Sequence, residues 1–304
     1  MLVATLGEWG FDAFECEAEG EGGDLVLSAY GSYSTTDPSS VEEALKPLSG
    51  LVLWQRWAEP LPQVNWNERW EAAFEPVRMG RLLGLRAPFH EPMTEVGMEL
   101  VVMPRMSFGT GHHETTLQMC WWMLGAPPPG SEPAADALTV EGKVLPWPSA
   151  SSDPGNPPSA FTSLKGLKVL DMGCGTGILA ILAARLGASE VVGIDVESWS
   201  AENAAENAQR NGVSGQWICG DAQVLQEWSS EDRRFDLVLA NINRNVLLED
   251  MEAYVALLPS GGQLWLSGFY ESDTEVLRQK AGQLGLVGLA SARLNHWCTL
   301  LFRK

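Results

Sequence analysis

The sequence predicts an α/β fold, a mostly parallel sheet covered by helices on both faces, with a small α+β unit ahead of it. Two observations carry this. Between Lys168 and Asp195 an apolar strand runs into a glycine loop and a helix, and a second apolar strand then ends on an acid. From Trp217 to Phe302 strand-like and helix-like segments keep alternating. Parallel neighbours need a long crossover between them, and a helix is the usual one, so that order builds a sheet buried on both sides.

Taken along the chain, Leu2 to Phe14 reads as a helix, Glu19 to Asp24 as an acidic glycine-rich turn, and Leu25 to Tyr30 as a strand. Val41 to Leu48 follows as a helix and Leu51 to Trp57 as a strand, so residues 1–60 are expected to form the small α+β domain. Residues 61–104 are expected to be a connecting helix and linker, with Trp66 and Trp70 on one helical face at i and i+4, packing between domains. The large domain then spans 105–304. It opens with a helix over His113 to Leu124 and is interrupted at 125–160 by an irregular insertion that holds nine of the chain's 18 prolines; without periodicity, a surface loop with no function is expected there.

Lys168 to Asp171 is a short buried strand, Met172 to Gly177 carries glycines at alternate positions, and Ile178 to Leu186 is a helix ended by Gly187. Val191 to Ile194 is the next strand, Trp217 to Cys219 the third, and Phe235 to Ala240 the fourth, running into Asn241-Ile242-Asn243-Arg244. Beyond it come a helix over Val246 to Leu258, a strand over Gln263 to Ser267, a helix over Thr274 to Leu284, a strand over Leu286 to Ala290, and a last strand, Trp297 to Phe302, returning by a hairpin.

Composition narrows the class. At 304 residues and 45% hydrophobic content the chain can bury a sizeable core. No apolar run is long enough to span a bilayer, and Met1 to Phe14 carries acids where a secretion signal has a basic flank. Five scattered cysteines without metal-ligand spacing point to a reduced, cytoplasmic setting and to no metal site. A net charge of -19, from 20 basic and 39 acidic residues, argues against a direct grip on nucleic acid. It suits a basic protein partner, or equally an acidic surface that keeps the protein dispersed.

The glycine loop implies a nucleoside. Glycine allows a sharp turn and a close ligand, the helix start offers free N–H groups, and Asp195 at the second strand's carboxyl end is placed to accept from ribose hydroxyls. A dinucleotide site has glycines at the first, third and sixth positions; Gly173 and Gly175 match, but the sixth position is Ile178 and a glycine sits at the fifth, Gly177. Asp171, two residues before the first glycine, would repel a pyrophosphate but could receive the ammonium of a methionine moiety. S-adenosylmethionine is therefore favoured over NAD. Asp221 stands where an adenine amino group could be bound, or where a helix needs an N-cap. Asn241 puts an amide at the crevice where such sheets bind their ligands.

With Met106-Ser107-Phe108-Gly109-Thr110-Gly111-His112-His113-Glu114-Thr115-Thr116 added, the chain resembles the ribosomal protein L-eleven methyltransferases, the PrmA family. The pattern Phe-Gly-Thr-Gly-x-His-x-Thr-Thr upstream of the glycine loop is specific to that family; Asn65 to Trp70 and Arg86 to His90 strengthen the match. The resemblance implies a Rossmann-like, seven-stranded S-adenosylmethionine methyltransferase domain with a small N-terminal α+β domain for substrate recognition. By it, Thr116, Gly173, Asp195 and Asn241 hold S-adenosylmethionine, with Phe108 and His113 lining the pocket. Thr116 could instead be a plain cap, Phe108 a core filler, and His113 a satisfied structural residue. Asp171, Gly175 and Asp221 join the cofactor set, and Asn241 and Phe108 are the expected catalytic residues. The implied substrate is one large-subunit ribosomal protein, methylated at lysine side chains and its N-terminal amine by a monomeric enzyme.

Two departures stand out. Family members open with a strand, whereas here a helix is read almost at the start, so the recognition domain lacks a strand or begins upstream. After Asn241 the chain has Ile-Asn-Arg where many members have Ile-Leu-Ala, a polar version that would reshape the amine pocket. Three other readings compete: an NAD-dependent oxidoreductase, which Ile178 opposes; a non-catalytic module on the same fold, which the intact Phe108 to Thr116 run opposes; and a methyltransferase of nucleic acid or glutamine, whose Asn/Asp-Pro-Pro-Tyr is replaced here by Asn241-Ile242-Asn243.

Overall fold

The computed structural model describes residues 11–19, 24–31, 46, 74–105, 108–125, 138–140, 143–145, 149–152 and 163–304. The chain divides into two compact units, Met1–Asn65 and Trp66–Lys304. In the first, β1 (Phe11–Glu19) pairs antiparallel with β2 (Asp24–Gly31). The helix expected up to Phe14 is corrected: Phe11-Asp12-Ala13-Phe14-Glu15-Cys16-Glu17 alternates apolar with acidic residues over most of its length, a two-residue period that suits a ladder. The strand expected from Leu25 is β2. The helix over Val41 to Leu48, apart from Lys46 in a 3-10 turn, the strand from Leu51, and Trp66 and Trp70 lie outside the described residues.

The segment expected as linker is also corrected. It contains β3 (Val77–Met79), β4 (Leu83–Arg86) and β5 (Met98–Val101), which join β6 (Leu138–Val140) and β7 (Lys143–Leu145) in a five-stranded sheet of order β5-β4-β3-β6-β7. Val77, Met79, Leu83, Leu85 and Leu100 are fully or almost fully buried, each worth roughly 1.5–3 kcal/mol of apolar transfer, so this stretch is core. Between β5 and β6 lies α1 (Glu114–Met123). Strands β6, β7 and β8 (Ser149–Ser152) fall inside the proline-rich insertion, which is thus not wholly irregular. At three or four residues each, they are too short for a side-chain period to reveal them.

The main sheet is built from β9 (Lys168–Met172), α2 (Ile178–Arg185), β10 (Glu190–Asp195), α3 (Ser198–Arg210), β11 (Gln216–Cys219), α4 (Gln223–Ser230), β12 (Leu237–Asn241), α5 (Arg244–Ala256), β13 (Gln263–Tyr270), α6 (Thr274–Gln283), β14 (Val287–Leu294) and β15 (Trp297–Arg303). Strand order is β11-β10-β9-β12-β13-β15-β14-β8. The expected seven strands are present, parallel from β11 to β13; β15 runs antiparallel between β13 and β14, returning by the hairpin at Asn295, and β8 adds an eighth on the far edge. Alternation divides each central strand between two cores. Val169, Leu237 and Leu239 face α1 and α2, while Leu170, Val238 and Ala240 face α5 and α6. The order reverses between β9 and β12, which opens a crevice at their carboxyl ends.

Candidate active site

The loop from β9 to α2 puts Gly173, Gly175 and Gly177 at φ of 66°, 53° and 79°, a left-handed region that disfavours side chains. Neighbouring protein atoms fill the space beside them. A Cβ on Gly173 would overlap the Ile242 side chain, and one on Gly175 would overlap the Phe108 carbonyl oxygen. The Phe108 segment is bonded onto the loop: Thr176 N–H donates to the Phe108 carbonyl (2.9 Å) and its hydroxyl to the Gly109 carbonyl (2.5 Å).

An asparagine ladder holds residues 101–103 against the same loop. Asn203 and Asn207 on α3 and Asn211 at its C-cap, one turn apart, are buried against the backbone of residues 101–103 and the loop. Asn207 accepts from Met103 N–H (2.8 Å) and donates to the Thr176 carbonyl (3.0 Å); Asn211 accepts from Val101 N–H (2.9 Å) and donates to its carbonyl (2.7 Å). The sequence reading missed these residues. Their signal was an i, i+4, i+8 spacing of amides in an alanine-rich stretch, where polar side chains on the buried face need partners.

Within the motif, His113 is the N-cap of α1, its Nδ1 accepting from Thr115 N–H (3.3 Å). Burial lowers its pKa, with Glu114 opposing, so the ring stays neutral and Nδ1 free to accept. Its ring also meets Phe108, at 5.1 Å between centroids. His112 contacts the Glu75 carbonyl through Nε2 (2.8 Å) and Thr110 through Nδ1 (3.0 Å), tying the motif to residue 75. Phe108 is 53% exposed and fills no core. Thr116 is fully buried in the first turn of α1; the capping is done by His113, and the Thr116 hydroxyl receives Asn241 Nδ2 at 3.3 Å.

Asn241 ends β12 with its Oδ1 buried and without a protein partner. Asp171 is equally buried, accepting from Ala180 N–H at 3.2 Å with one oxygen and leaving Oδ1 unpartnered. Burial pushes its pKa up to about 8, against the Ala180 bond and with some help from the charge of Asp195. Asp195 accepts from Gly175 N–H (2.9 Å) and Glu197 N–H (3.0 Å). Asp221 accepts from Gln223 N–H (2.8 Å), the turn-forming role, and also borders a cavity of about 360 Å³ with Val196, Gly220, Gln223, Val224 and Glu227. Asn243 caps α5 by accepting from Asn245 and Val246 N–H (3.1 and 3.2 Å), so the polar Ile-Asn-Arg segment serves the helix start. Among the described residues no group of His, Cys, Asp and Glu could hold a metal, and no helix is long and apolar enough to cross a membrane.

Residues 14–304 match the family model described as ribosomal protein L11 methyltransferase (PrmA). The chain belongs to this family. A PrmA relative, the ribosomal protein L11 methyltransferase of Porphyromonas gingivalis, is 40% identical over 99% of this chain and 89% of its own length. That of Bacteroides fragilis is 34% identical over 99% of this chain and 92% of its own. Among solved structures, a ribosomal protein L11 methylase from Lactobacillus delbrueckii subsp. bulgaricus superposes with a TM-score of 0.57 at 23% identity, covering 76% of this chain and all of that one, and so shares the fold. PrmA membership makes the chain a methyltransferase that takes its methyl group from S-adenosylmethionine.

Proposed function

We propose that this PrmA-family protein methylates ribosomal protein L11 at lysine side chains and at the N-terminal amine, using the crevice between β9 and β12. The observation that carries this is the buried Asn241 Oδ1, an acceptor with no partner, held in place by Thr116 of the motif. A buried acceptor left bare costs about 1–3 kcal/mol, so it marks a place for a donor, here the N–H of an incoming amine.

The other groups suit the methyl donor. Asp195 uses one position on each oxygen, and a carboxylate has about four lone-pair sites, which leaves room for both ribose hydroxyls. The cavity beside Val196 and Asp221 falls within the roughly 300–1,000 Å³ typical of small-molecule sites and would take the adenine. Asp171 Oδ1 suits the methionyl ammonium, whose positive charge would favour the ionised carboxylate, and Thr116 suits the adjoining carboxylate. When bound, the sulfonium supplies an electrophilic methyl group.

The protein's own task is to position a neutral amine. A free lysine titrates near ~10.4, so losing its proton at pH 7 costs roughly 4–5 kcal/mol. Asn241 meets it with a neutral oxygen, which favours ammonium less than a carboxylate would. Glu271 and Asp273, near the end of β13, are paired with Arg293 (2.7 Å) and Arg244 (3.0 Å), which blunts their pull on the proton.

Asp171 gives a pH test. With a folded pKa near 8 against an unfolded 3.8, the carboxyl stays protonated in the folded protein while the unfolded chain ionises. Stability is therefore lost as pH rises from about 4 to 8 and is flat above. Asp171→Asn removes that loss: at pH 8 and without ligand it is expected to raise stability by roughly 1–3 kcal/mol in thermal melts, while weakening S-adenosylmethionine binding. Unchanged affinity would remove Asp171 from the ammonium site.

The substrate is tested by incubating the protein with methyl-labelled S-adenosylmethionine and purified L11, then mapping the label by mass spectrometry. Methyl groups on lysines and the N-terminus are expected; transfer to RNA alone would overturn the assignment.

A further inference from the structure

An amine bound at Asn241 must be approached from solvent, and two aromatic side chains along the way, Tyr270 and Trp297, have no role so far. Tyr270 ends β13 and Trp297 opens β15, their rings 4.2 Å apart and 32° from parallel. His113 stands edge-on to Trp297 at 4.6 Å and Phe108 edge-on to His113 at 5.1 Å, so four aromatic rings form one row. Tyr270 is 50% exposed, as open as Phe108.

The row sits at the right depth. Asn241 pairs with Ser267 on β13, and Ser267 with Thr299 on β15, a line across three strands; the paired Tyr270 and Trp297 lie two to three residues farther along the same strands. At about 3.3 Å per residue that is on the order of 7–10 Å, a depth comparable to the reach of a lysine side chain. Helix α1 provides an independent measure, because Thr116 touches Asn241 and His113, less than one turn earlier, touches Trp297. The Trp297 backbone is fixed from below by the buried Gln118, whose Nε2 donates to its carbonyl at 3.2 Å.

We infer that Tyr270 and Trp297, continued by His113 and Phe108, form the channel for the acceptor amine, and that the Tyr270–Trp297 pair holds the partly methylated ammonium between transfers. This rests on the amine-methylation reading above. A site that held the amine by hydrogen bonds alone would lose one partner with each methyl added. An aromatic face attracts a cation through its quadrupole and needs no N–H, so its grip survives methylation. With Glu271 and Asp273 engaged by arginines, the rings hold the cation without fixing its proton as an unpaired carboxylate would. Glu114, held by Asn295 at 2.8 Å, adds negative charge beside His113 that draws the amine in.

The test compares the wild type with Tyr270→Leu, Trp297→Leu and Trp297→Phe. Calorimetry of a dimethyl-lysine peptide on each protein saturated with S-adenosylhomocysteine should show roughly 5- to 30-fold weaker binding for the leucine variants and recovery in Trp297→Phe. With L11 as substrate, the leucine variants should raise KM more than they lower kcat and shift products toward monomethyl. S-adenosylhomocysteine affinity equal to wild type shows that each variant is folded. Unchanged peptide affinity and unchanged methyl-number distribution in both leucine variants would overturn the channel. A wild type that binds the peptide but transfers no methyl to L11 would overturn the substrate assignment and leave the channel supported.

Discussion

Gly175→Ala is expected to cut S-adenosylmethionine affinity by roughly 100-fold or more in calorimetry while leaving the far-UV signature of the α/β core in place. Two costs add. Gly175 sits at φ 53°, where a side chain pays about 1–2 kcal/mol, and its Cβ would overlap the Phe108 carbonyl, a backbone atom that cannot rotate away. Relief requires the motif to lift off the loop, breaking the Thr176 bonds to Phe108 and Gly109. That would displace Phe108, His113 and the start of α1, the elements proposed to face the methyl donor. Gly261→Ala is the control. Its φ is 84°, but nothing beyond its own chain neighbours lies within 4 Å of the added carbon, so it should cost only the conformational penalty and leave binding unchanged. Equal effects of the two substitutions would mean that the contact with Phe108 is unimportant.

Asn241→Ala should lower kcat by roughly 100-fold or more with S-adenosylmethionine affinity changed less than about tenfold. The asparagine is 8% exposed, its Nδ2 is engaged by Thr116, and its Oδ1 has no protein partner. Removing an unsatisfied acceptor costs the fold little, so stability should move by less than about 1 kcal/mol. What disappears is the group that aims the amine lone pair. Asn241→Asp sharpens the test, because a carboxylate would hold the acceptor as ammonium; its activity should be low at pH 7 and recover as pH rises, since more of the amine is then neutral. Wild-type turnover in Asn241→Ala would remove the residue from the reaction.

The elements that were legible from residues alone are those whose determinants lie close together in the chain. Lys168 to Asp195 could be read because the buried strand, the glycines that tolerate positive φ and the terminal acid follow one another within thirty residues. The motif from Phe108 to Thr116 was legible as a family signature, but its individual roles were not: His113 proved to be the cap and Thr116 the partner of Asn241. Misreadings fell where local pattern is weak. Phe11 to Phe14 lacks the apolar–acidic alternation that marks the rest of β1 from Phe14 to Glu19, and β6, β7 and β8 are too short to show any period. Residues 77–101 looked like a linker because each strand there is three or four residues long and is stabilised by burial against the larger domain.

By itself, then, the sequence determined the order of strands from Lys168 onward, the positions where only glycine can turn the chain, and the acids at strand ends, since dihedral preference and hydrophobic period act over a few residues. Only the tertiary structure decided which of these meet. Thr116 and Asn241 are 125 positions apart, Gln118 and Trp297 are 179 apart, and Asn207 reaches back 104 positions to Met103. Such contacts come from packing helices against a sheet whose strand order differs from chain order, and no local pattern contains that information.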